Sequence, residues 1–227
     1  MNRASLPSGS STAPTGDSAA TDSASASASS SEPLSKDDIA KLKNGTDKEK
    51  LEILAKLAKK LGDGKEVPVE AVKKFLEENG IKNTMLDKVV KSQKALGSLM
   101  KMTDTLSGNG STTEKVAAVL DFLQTAGGSF SGKIGEFLEG PLKGVSGAKE
   151  IIDGINTLSD PKASVFDKVH AALNIAGGLK NAGALDALHG KVAETLNTYL
   201  GGTKNAQEIV KDVSTLIDSK ASRMDKA

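Results

Sequence analysis

Acid–base chemistry near neutral pH in this chain would have to rest on two histidines, His170 and His189. As a catalytic base, either needs a nucleophile within hydrogen-bond reach and an acid to orient the ring. Asp186 and Glu194 lie close to His189 in sequence, at a glycine-bounded junction. His170 adjoins an apolar stripe of Val169, Ala172 and Leu173. No nucleophile is marked beside either ring, so both read first as surface or boundary histidines. Cysteine is absent, which removes thiolate ligands, thiol nucleophiles and disulfides together. Two histidines 19 residues apart match no zinc spacing. Asp63-Gly64 resembles a fragment of a calcium loop but lacks its alternating oxygen ligands, and reads as a turn. Gly127-Gly128 and Gly177-Gly178 are not followed by Lys-Ser or Lys-Thr, so they read as helix caps rather than phosphate cradles. Gly140 and Gly144 flank Pro141-Leu142-Lys143 and mark a kinked junction. No catalytic, cofactor-binding or metal-binding residue is assigned.

Charge narrows the partners. Basic and acidic residues number 30 and 29, and only Arg3 and Arg223 among the former are arginine. Phosphate and guanine are read bidentately by the planar guanidinium fork, which lysine lacks. The balance therefore gives no case for nucleic acid or an anionic membrane. Five Phe, one Tyr and no Trp leave the core to Leu, Ile, Val, Met and Ala. Uncharged stretches in the structured part reach 11 residues, at 122–132 and 169–179. A spanning helix needs about 20.

The elements that position these residues begin after a low-complexity segment. Twelve of the first 35 residues are serine, and the large apolar ones are Met1, Leu6 and Leu34. Such a segment cannot bury enough apolar area to offset its chain entropy and is expected to be disordered. It has no apolar run of signal-peptide type. Ser35 with Asp38, and Thr46 with Glu49, are N-capping pairs that open helices at 36 and 47. The first ends at Asn44-Gly45. The second carries Leu51, Leu54, Leu57, Ala58 and Leu61 on one face and stops at Gly62. Pro68 opens a further helix, with a stripe of Ala71, Val72, Phe75 and Leu76, capped by Asn79-Gly80.

From residue 85 the chain repeats itself. Helix A occurs at 94–106, 147–158 and 205–216, and the last two share Ala-x-Glu-Ile-(Ile/Val) and Thr-Leu at an offset of 58. Helix B follows the first two copies, opened by Ser111-x-x-Glu114-Lys115-Val116 and by Ser164-x-x-Asp167-Lys168-Val169. Both B helices are expected to end at Ala-Gly-Gly, 126–128 and 176–178, the second a turn shorter. Helix C runs from Lys133 to Leu142 and again from Lys191 to Leu200, also at an offset of 58. The order is A–B–C–A–B–C–A.

Each segment carries one apolar stripe, such as Ile151, Ile152, Ile155 and Leu158 in the second A helix. Single-stripe helices of this length must pack on one another to survive in water. No segment alternates with period two. The expectation is an all-α bundle or short array built from a duplicated three-helix unit. Its parts are a tail at 1–35, N-terminal helices at 36–84, a repeated domain at 85–220 and a frayed end at 221–227. Phe122, Leu123, Phe130, Ile134, Phe137 and Leu138 could line a membrane surface. The acids Asp121, Glu136 and Glu139 on the polar side favour core packing instead.

The serine-rich, acid-poor start from Met1 to Ser11, the missing cysteine, the few aromatics and the glycine-rich helices resemble a type III secreted bacterial effector or harpin-like accessory protein. The segment 159–169 is similar to helical pre-toxin or translocation regions of bacterial toxins. The resemblance implies export from a bacterium and action on a host protein or membrane; a host protein is the expected partner, with a secretion chaperone and membrane contact as further candidates. It implies no catalytic residue. The expected activity is non-enzymatic binding of a host protein through an apolar groove or helix face. The rival readings are a membrane-active or translocator-associated protein, and a helical enzyme using His170 or His189.

Overall fold

Four reciprocal capping pairs start four of the helices in a computed structural model of the chain, which describes residues 33–62, 66–127, 133–201 and 206–222. The Ser35 and Thr46 N–H groups donate to the Asp38 and Glu49 carboxylates at 3.4 and 2.9 Å. The Ser111 and Ser164 N–H groups donate to Glu114 and Asp167 at 2.7 and 3.0 Å. Each cap hydroxyl accepts in return from the backbone N–H of its acid. Two otherwise unpaired helix-end donors are satisfied at each site, and the acid sits at the positive end of the helix.

The elements are α1 (Lys36–Asn44), α2 (Asp47–Leu61), α3 (Val69–Glu78), α4 (Thr84–Val90), α5 (Gln93–Ser107) and α6 (Thr112–Ala126). A 3-10 turn, Ile134–Leu138, follows. The chain continues as α7 (Ala148–Ser159), α8 (Val165–Asn181), α9 (Leu185–Leu200) and α10 (Ala206–Ser222). Among the described residues there is no strand. The molecule is all-α. The tail to residue 32, Asp63-Gly64, Gly128, Phe130 and residues 223–227 lie outside the described residues. The sequence reading missed α4, which the Asn83 side chain caps by accepting from the Met85 and Leu86 N–H groups. It also put Pro68 inside the third helix, whereas Pro68 is the residue before it.

The duplicated unit is visible as pairs. Helix α5 packs on α6 and α7 on α8, the two A–B pairs. Helix α9 joins them, lying against both α6 and α8, and α10 closes over α9 and α8. Helix α2 crosses α5 and reaches the 3-10 turn. One continuous apolar core runs from Leu42 and Leu51 through Leu99, Phe122 and Ile155 to Leu196 and Ile217.

Two departures from the expected repeat have physical causes. Helix α8 does not end at Gly177-Gly178. It runs on to Asn181, and Gly183 takes the left-handed turn, φ +69°. Gly178 is instead the crossing point with α7. A Cβ there would meet the Gly147 carbonyl oxygen at 2.6 Å and Ile151 Cγ1 at 2.8 Å. One helix turn further on, a Cβ on Gly154 would meet Ile175 Cγ1 at 2.6 Å and the Ala171 carbonyl at 2.8 Å. Packing thus overrides the weak helix propensity of the glycine pair. The first C segment is a 3-10 turn rather than a helix like α9. Pro141 has no N–H and its ring opposes the carbonyl four residues back, so an α-helix cannot continue. Gly135 is pressed against α7 and donates its N–H to the Asn156 side chain at 2.8 Å. The third A helix is also turned. Asp212 occupies the place of Gly154, and Leu216 is 50% exposed where its counterpart Leu158 is fully buried.

The adjacent glycines in α8 separate packing from propensity. Nothing lies within 4 Å of a Cβ built on Gly177. Gly177→Ala should stabilise the fold by about 0.5–1 kcal/mol. Gly178→Ala should destabilise it by about 1–3 kcal/mol. Urea unfolding of the two variants checks the opposite signs.

The caps also set an acid limit. The Lys56 ammonium holds the Asp38 carboxyl below its ordinary 3.8. The Thr46 and Ser111 N–H groups lower Glu49 and Glu114 from 4.5, and the Ser164 hydroxyl lowers Asp167 from 3.8. A carboxyl depressed in the folded state stabilises the fold fully above its unfolded value, and that gain is lost as pH falls through the folded value. The melting temperature should therefore fall as pH drops below 4.5, and Glu114→Gln should reduce that dependence.

Candidate functional site

Helix α2 is apolar on one side and lysine-rich on the other. Leu51, Leu54, Leu57 and Ala58 are buried, while Lys48, Glu52, Lys56 and Lys60, four residues apart, form a ridge along the outer side. This ridge, with Lys59, faces the C-terminal end of α5 and the segment after the 3-10 turn. Between them lies a groove of about 610 Å³. Ala55 and Phe137 make its floor, with Leu106, Pro141, Thr103 and Ser107 along the far wall.

The four lysines are held differently. The Lys48 ammonium stands 5.8 Å from the centre of the Phe137 ring and 3.5 Å from the Glu136 carbonyl oxygen. That is a cation over an aromatic face, without a carboxylate partner among the described residues. Lys56 pairs with Asp38 at 2.6 Å. Lys59 pairs with Asp104 and lies 3.4 Å from the Thr103 hydroxyl. Lys60 and Glu52 have no ion-pair partner among the described residues. An ammonium has three donors, so Lys56 and Lys59 keep donors free for a further acceptor.

No known protein family matches the chain, and no curated protein or solved structure matches it significantly. What it does must be read from its own surfaces.

The sequence-marked histidines do not assemble a catalytic set. His189 lies within α9, not at a junction before it. Its Nδ1 is 2.9 Å from the Asp186 backbone carbonyl, so the Asp186 carboxylate does not orient it. Its Nε2 is 3.6 Å from Asp218 on α10. Glu194 is five residues on, on another side of the helix, where its carboxylate lies 3.5 Å from the Gln124 side-chain amide. His170 is exposed and stacks on exposed Phe166, ring centres 4.6 Å apart. Among the described residues no hydroxyl is hydrogen-bonded to either ring. Likewise, no three acidic or histidine side chains there gather as metal ligands.

Of the glycines, Gly127 caps α6 at φ +80° and Gly144 turns the chain at φ +81°, with open space around Gly140. The apolar residues Phe122, Leu123, Ile134, Phe137 and Leu138 are all buried. Among the described residues no helix is long and apolar enough to cross a membrane.

Two features escaped the sequence. The groove did, because its walls come from three segments, 48–60, 103–107 and 137–141, that are distant along the chain. A polar seam between α6 and α9 did as well. There the Gln124 amide donates to the Lys191 carbonyl at 3.2 Å and to the buried Thr195 hydroxyl at 3.1 Å, and Lys191 pairs with Asp121. The one available signal was the lysine spacing in α2, four apart with a single glutamate in the row.

With His189 held only by a carbonyl and an exposed carboxylate, its loss should cost little. A His170→Ala, His189→Ala double variant should unfold within about 1 kcal/mol of the parent in urea.

Proposed function

We propose that the chain is a non-enzymatic binding protein, exported from a bacterium by its serine-rich N-terminal segment and acting on a host protein through its helical body. The lysine-lined groove on α2 carries this reading. It joins half-buried apolar side chains, Leu106 and Pro141, to a row of ammonium donors on a helical frame, a combination that binding sites use. Export rests on the composition of residues 1–35 and on the resemblance to type III effectors. A serine-rich composition with few large apolar side chains gives a chain little to gain from folding, which suits threading through a secretion channel.

Secretion and folding are separable in a truncated chain. Removal of residues 1–32, which spares the buried Leu34 and the Ser35 cap of α1, should abolish export from a bacterium carrying a type III apparatus. The purified remainder should keep its helical circular dichroism and its cooperative melt. A truncated chain that reaches the culture medium at the full-length level would refute the role given to this segment.

A further inference from the structure

We infer that the groove along α2 receives an acidic amphipathic helix of about three turns. This rests on the reading of the chain as a binding protein and names the chemistry of what it binds. Lys48 and Lys60 are the first and last residues of α2 that line the groove. Twelve residues of α-helix separate them, or about 18 Å, the length of about twelve residues in a partner helix. Leu106 and Pro141, half-buried along the groove above the buried Ala55 and Phe137, would meet the partner's apolar stripe.

Charge decides the polar flank. Among the described residues Lys60 lacks a carboxylate within reach, and Lys48 meets a ring and a carbonyl oxygen but no carboxylate. Lys56 and Lys59 each retain donors beyond their single carboxylate. A helix with carboxylates beside its apolar stripe completes these four groups. Glu52 breaks the row between Lys48 and Lys56. It repels an acid at one position of the partner and so fixes the partner's register, the way a single repulsive charge gives specificity.

The test uses the full-length protein and three fluorescein-labelled helical peptides of about 14 residues, long enough to fill the groove. All share one leucine stripe, and their polar flanks are glutamate, glutamine or lysine. Anisotropy at low salt should show the glutamate peptide binding at least about tenfold more tightly than the other two, with the difference shrinking as salt screens it. Lys60→Glu and Lys48→Glu should each weaken the glutamate peptide several-fold, Lys60→Glu without moving the melting temperature and Lys48→Glu with a small drop from the loss of its contact with Phe137. Glu52→Gln should strengthen it. Equal affinity for the three peptides would overturn the inference, as would a Lys60→Glu variant that binds like the parent. Failure of the peptides together with retention on phosphatidylglycerol vesicles would assign the lysines to a lipid surface instead. Export that survives truncation would sink the secretion reading and leave this result standing, so the two can fail separately.

Discussion

The closeness of α7 and α8 sets the geometry of the repeated region. Gly147 and Gly178 leave no room for a Cβ between their backbones, and Gly154 sits against Ala171 and Ile175 in the same way. Positions 147, 151, 154 and 158 share one helix face, so the approach holds along the length of α7. With so few aromatic side chains, the chain cannot fill a wide gap between helices. Close backbone approach replaces bulk, and Ile151, Ile155 and Leu158 become fully buried. Helix α9 then rests on α8 and carries α10 with it.

Local chemistry made much of this architecture legible. The four capping pairs name their helix starts within a residue, because a hydroxyl and an acid three positions apart have one use in an otherwise amphipathic run. The A and B helices follow from their stripes. Glycine pairs were harder to read. Ala-Gly-Gly means a cap in α6 and a crossing in α8, and only the neighbour in space tells them apart. Likewise α4, seven residues long, is too short for its periodicity to stand out beside Asn83.

The groove was beyond local reading for a different reason. Sequence marks helix faces, and α2 reads as a solvated lysine face. That Phe137 lies under Lys48, and that Leu106 and Pro141 stand across from it, depends on where α5 and the 3-10 turn end. The histidines illustrate the reverse. Asp186 and Glu194 are near His189 along the chain, yet helix geometry turns one to its backbone and the other toward α6.

The two C segments have parted ways in the folded chain. Where the second has Thr195, facing Gln124 in a polar seam, the first has Phe137, laid beneath a lysine. One copy became a polar rivet between α6 and α9 and the other a buried apolar wedge under α2. A duplicated scaffold can divide labour in this way without disturbing its paired helices, because both altered segments sit at the edges of the pairs rather than at their crossings.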